Sequence, residues 1–149
     1  MTWPFPMESA HPLVVHFPIA LLVTAVGLDL LALAMKRPAL HRVALWNLVL
    51  GTLGAGVAVW SGLRAAEVAK HTFVIHQVME LHQKLGIATL LIGSTAAVWR
   101  LGTRDRLGLP SRALVMLLMA AMAGTLAYGA HLGGRLVYEF GVGGMFGAH

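Results

Sequence analysis

Apolar residues run in four long stretches along this chain, and polar residues gather in the short intervals between them. Leu13–Met35 is the first stretch, with His16 and Asp29 as its only ionisable residues. Val43–Leu63 is the second and has none. The third is unbroken only from Leu85 to Trp99, and the fourth is Ala113–Gly133, interrupted by His131 alone. A helix needs about 20 residues to cross the hydrocarbon core of a bilayer. The first, second and fourth stretches reach that length directly. The third reaches it by recruiting the turns before it, which hold Glu80, His82 and Lys84. That draws His82 into the hydrocarbon edge, while the long stem of Lys84 lets its charge reach water. The pattern predicts transmembrane helices at about 12–35, 42–64, 77–101 and 110–132. The expected fold is all-α, an integral membrane four-helix up-down-up-down bundle forming a single domain over residues 1–149.

Composition agrees: 58% of residues are hydrophobic, 11% are charged, and the mean hydropathy is +0.75. Cysteine is absent, which excludes disulfides, thiolate metal sites and covalent c-type haem attachment. The net charge of +5 does not point to nucleic acid, because the bases sit in short connections between apolar runs. Lys36, Arg37 and Arg42 follow the first helix, and Arg100, Arg104, Arg106 and Arg112 follow the third. The bases on the other side, Arg64, Lys70, Lys84 and Arg135, are offset by Glu8, Glu67, Glu80 and Glu139. The positive-inside rule therefore predicts a multi-pass protein of the bacterial inner (cytoplasmic) membrane with both termini in the periplasm. The first stretch lacks a basic leader and is followed by Lys36 and Arg37, so it is read as a retained helix rather than a cleaved signal.

Seven of the eight histidines fall on the predicted outer side, and only His41 falls on the inner side. His16, His82 and His131 each lie about one turn inside a helix, at similar depth. Each heads a stripe of small residues: Ala20, Val23 and Gly27 after His16; Gly86, Thr89 and Gly93 after His82; Ala127, Gly124 and Ala120 before His131. Small stripes also occur where membrane helices simply pack. Histidine at the head of three of them points instead to a bound cofactor, since ionisable groups inside a membrane are costly and tend to be functional.

One haem b fits this reading. Helices one and three are diagonal in an up-down-up-down bundle, and His16 and His82 are the expected axial ligands. Gly86 leaves space for the macrocycle, and Arg64 and Arg135 are placed to meet propionates. His131, on a flanking helix, is expected to hydrogen-bond a propionate or a quinol, or to replace one ligand. His11 precedes Pro12 and reads as an ordinary helix start. His71 and His76 read as solvated, and His149 as terminal. Asp29 is expected to find Asn47 or Arg100 as a structural partner. Ser61 and Ser94 have no base and acid at a recognisable catalytic spacing.

The segments HPLVVHFPIALL (His11–Leu22), ELHQKLG (Glu80–Gly86) and GAHLGGRLVYEFGVGG at the end resemble domain-of-unknown-function family 2231, small four-helix bacterial membrane proteins. The resemblance covers nearly the whole chain. It implies a fold similar to the small membrane cytochromes b, with His16, His82 and His131 as matching histidines and His11 as a further one. It also implies a histidine at the position of Phe140, so in this chain the Gly-rich tail is not expected to carry a ligand. Three functions stay open from sequence. The first is a one-haem electron-transfer protein that exchanges electrons with quinol and a periplasmic redox protein. The second is a zinc or copper site built from His11, His16, His82 and His131. The third is a cofactor-free structural subunit of a larger membrane complex, such as a respiratory one.

Overall fold

The computed structural model describes residues 7–68 and 72–142. Four helices account for nearly all of them: α1 (Met7–Met35), α2 (Pro38–Val68), α3 (Phe73–Gly102) and α4 (Leu109–Tyr138). All four are long and apolar enough to cross a membrane. At 29 to 31 residues, each spans about 45 Å at 1.5 Å per residue. That exceeds the roughly 30 Å hydrocarbon layer, so polar turns continue beyond the apolar runs. The expected bounds fall short for this reason. Residues 7–11, 38–41, 73–76 and 133–138 are helical although they lie outside the expected bounds.

The breaks have local causes. Lys36 takes a left-handed backbone (φ 51°), and Pro38, which lacks an N–H, opens α2 at a position where none is needed. Arg104 and Asp105 are also left-handed (φ 50° and 57°) after α3, and Pro110 sits in the first turn of α4. A two-residue connection leaves α2 no course but to reverse against α1. The end of the bundle holding the 36–37 and 103–108 connections is called the lower end below, and the opposite end the upper.

Packing is closest within the α1–α2 and α3–α4 hairpins. The α2–α3 pair joins them, and α1 and α4 touch only sparsely. The helices thus form a ring with α1 diagonal to α3, as expected, and a loose seam between α1 and α4. A glycine row on α2 brings α1 close. A Cβ at Gly51 would lie 2.8 Å from Leu22 Cδ2, and one at Gly54 would lie 3.3 Å from Pro18 Cβ. The shared core holds Leu22 and Ala25 of α1, Leu48 and Ala55 of α2, Ala96 and Ala97 of α3, and Val115, Met119 and Met122 of α4. Phe17, Leu30, Leu53, Leu91, Val98 and Leu117 point outward. Such apolar surface is poorly suited to water and well suited to lipid.

Candidate functional site

Polar side chains cluster at two levels of the bundle. At the upper level, His11 of α1 and His82 of α3 meet across the diagonal in an edge-on arrangement, with ring centroids 6.3 Å apart and planes at 79°. Each ring is anchored through Nδ1. Ser61 on α2 gives its hydroxyl proton to the Ala58 carbonyl and so accepts from His11 Nδ1–H at 2.9 Å. His82 Nδ1–H donates to the Gly129 carbonyl of α4 at 2.8 Å. With Nδ1–H so engaged, it is Nε2 that carries the lone pair of a neutral ring at either position, the arrangement that outer hydrogen bonds impose on metal-binding histidines. Each ring also has a glycine seat. A Cβ at Gly62 would come within 2.8 Å of His11 Cε1, and one at Gly133 within 3.0 Å of His82 Cε1.

The structure does not bring His16, His82 and His131 together. His16 is exposed on the far side of α1, its Nδ1–H donated to the Pro12 carbonyl of its own helix at 2.6 Å. His131 is exposed on α4 and stacks on Tyr128, centroids 6.4 Å apart. The small stripes divide the same way. Ala20 and Val23 on α1, and Ala120, Gly124 and Ala127 on α4, are exposed, whereas Thr89 and Gly93 after His82 are buried. Small residues therefore mark a lipid-facing side on two helices and a packed side on the third. Gly86, expected to border a macrocycle, packs on α2, since its Cβ would meet Val59 Cγ2 at 3.7 Å. Arg64 is engaged with Glu67 on its own helix (3.3 Å), and Arg135 with Glu139 just past the end of α4 (2.9 Å). His71 and His149 lie outside the described residues.

The lower level holds a denser assembly. Asp29 of α1 and Arg100 of α3 are almost fully buried and joined at 2.6 Å. Arg100 also donates through Nε and Nη2 to both carboxylate oxygens of Asp105, at 2.9 and 3.1 Å, and through Nη2 to the His41 carbonyl at 2.8 Å. Arg112 of α4 donates from Nη1 to His41 Nε2 at 2.8 Å. A guanidinium can only donate, so His41 Nε2 accepts and His41 Nδ1–H donates to Asp29 Oδ1 at 2.7 Å. His41 is therefore neutral, and two carboxylates balance two guanidiniums. Among the described residues no buried side-chain nitrogen or oxygen lacks a partner. The expected Asp29–Arg100 pairing is present; Asn47 instead bonds its own helix at the Val43 carbonyl. Nothing in the spacing of Asp105, Arg112 and His41 along the chain signals that they close around that pair.

Comparison with known proteins bears on the whole of this arrangement. The model of a family described as predicted membrane protein (DUF2231) matches residues 8–145. The chain belongs to the DUF2231 family. No curated protein and no solved structure matches it. The DUF2231 match takes in all four helices, the His11–His82 pair and the lower cluster. Among the described residues of this DUF2231 protein, no three His, Cys, Asp or Glu side chains are grouped as a metal site requires. What the upper level offers is a two-histidine donor set joining the two hairpins.

Proposed function

We propose that the chain is a membrane-bound electron-transfer protein in which His11 and His82 hold one haem b near the upper surface. The observation that carries this reading is the neighbouring pair of imidazoles with both Nδ1 atoms anchored. A donor set of two imidazoles would suit a haem held by His11 and His82 better than a structural zinc, which takes four ligands. The spacing is compatible with it: metal–nitrogen bonds of about 2 Å would separate two ligating imidazole centroids by roughly 6 Å, against the 6.3 Å present. The α1–α4 seam is the side on which the bundle admits a planar macrocycle without parting a well-packed helix pair. Haem b supplies reversible one-electron chemistry at its iron.

The chain's own residues do the rest. Ser61 and the Gly129 carbonyl fix the tautomers, and Gly62 and Gly133 let the rings lie against α2 and α4. The distribution of Lys and Arg supports a reading in which the upper end lies at the periplasmic face of a bacterial inner membrane. Electrons would then pass between quinol in the bilayer and a periplasmic redox protein. Tyr128 and His131, stacked and open to lipid, are the residues placed to hydrogen-bond a quinol ring.

The test is the visible spectrum of protein purified in mild detergent from haem-replete cells. Wild type is expected to show a Soret band and sharp reduced α band. His82→Ala and His11→Ala are each expected to abolish the low-spin spectrum, while His16→Ala retains it. A wild-type protein without a Soret band, or one that loses it with His16→Ala and keeps it with His11→Ala, overturns the assignment.

A further inference from the structure

The lower cluster has no part in that reading, and its geometry is more demanding than a structural contact needs. His41 stands between a carboxylate and a guanidinium, with Asp29 Oδ1 on Nδ1–H and Arg112 Nη1–H on Nε2. The charged groups around it are Asp29 from α1, Arg100 from α3, Asp105 from the 103–108 connection and Arg112 from α4, with Arg42 exposed beside it on α2. Arg100 is committed to both carboxylates. Arg112 is half-buried, forms no ion pair among the described residues, and has His41 Nε2 as its one hydrogen-bond partner. Among the described residues, this is also the one hydrogen bond that ties α4 to the α1–α2 hairpin. The other side-chain bonds made by α4 to a neighbouring helix, from His82, Thr89 and Arg100, all go to α3. It ties α4 to α2 at the lower end, and α1 and α4 are the adjacent pair in sparsest contact.

We propose that His41 is a proton-binding site whose occupancy decides whether α4 is tied to the first hairpin. One proton adds to the Nε2 lone pair and no other bond is made or broken covalently. The imidazolium then donates from both nitrogens. Nδ1–H keeps Asp29, now as a full ion pair. Nε2–H faces Arg112 Nη1–H, donor against donor and cation against cation, so the 2.8 Å bond is lost. Arg112 turns outward to water, and the lower end of α4 is freed from α2. The His41 side chain is 14% exposed, so solvent reaches it. Asp29, His41, Arg100, Asp105 and Arg112 line a cavity of about 10 Å³, the least that admits a single water.

The chain has no cysteine, so two introduced ones report on the seam alone. Nitroxide labels at Met35→Cys and Leu109→Cys, both at exposed positions, give a distance across the lower end by pulsed electron resonance in lipid nanodiscs. Between pH 8 and pH 5 the wild-type background is expected to gain a longer distance, while ¹⁵N-histidine spectra show His41 passing from the Nδ1–H tautomer to imidazolium. In Arg112→Gln the distance is expected to stay short at both pH values, because an amide can donate to the neutral ring and accept from the charged one. An unchanged distance in the wild-type background, a His41 that stays neutral at pH 5, or a full pH response in Arg112→Gln overturns the proposal. None of these readouts involves haem, so the outcome is independent of the electron-transfer reading.

Discussion

Five residues separate His11 from His16, which turns the two imidazoles about 140° apart around α1. That angle decides which of them can meet His82. Depth is legible in the sequence and angle is not, because Pro12 signals a helix start there and His11 before it reads as an ordinary helix start. Met7 to Ala10 form a helical turn ahead of it, so His11 shares a face with Pro18 and Leu22, the residues received by α2. The row of glycines on α2 was the available signal, since its last member, Gly62, seats the ring. Substitutions separate the packed glycines from the open ones. Gly133→Ala puts a methyl against His82 and is expected to cost about 1–3 kcal/mol and to perturb the Soret band. Gly124→Ala, with nothing within 4 Å, should stay within about 0.5 kcal/mol of wild type. Ser61→Ala removes the acceptor for His11 and should lower stability by about 1 kcal/mol. Equilibrium unfolding in mixed micelles measures all three.

At the scale of the helices, the ends and the pairings carry the lesson. Hydropathy located four spans but stopped each one short, because it reports immersion in lipid and not helicity. The Asp29–Arg100 pair was readable because a buried acid in a membrane needs a cation at matching depth. Asp105 and Arg112 were not readable as its companions. Both belong to a connection and a first turn, where sequence spacing does not fix the direction of a side chain. The left-handed backbone at Arg104 and Asp105 is what turns the Asp105 carboxylate back onto Arg100. Arg100→Met leaves Asp29 buried without its strongest partner and is expected to destabilise by about 3–5 kcal/mol. Adding Asp29→Leu to Arg100→Met removes the orphaned charge and should restore part of that loss. A double variant less stable than Arg100→Met alone would show that Asp29 is held by His41 and not by the pair.

For the molecule as a whole, apolar side chains lie on the outside as well as in the core, and charge is confined to the two ends and one buried cluster. Arg104 stands exposed in the lower connection. In the orientation proposed above, Arg104→Cys in intact spheroplasts should resist a membrane-impermeant thiol reagent and label only after lysis, whereas labelling of intact spheroplasts would reverse the topology. The two buried charges of the cluster also set a schedule for biosynthesis. Asp29 and Arg100 are 71 residues apart, so at 5–20 residues per second the acid waits about 4–14 seconds for its cation. His41 follows Asp29 by only 12 residues, a wait of about two seconds or less at the same pace. The first hairpin thus leaves the ribosome with a partner for its acid already in hand, and Arg100 arrives to a carboxylate that has been kept occupied.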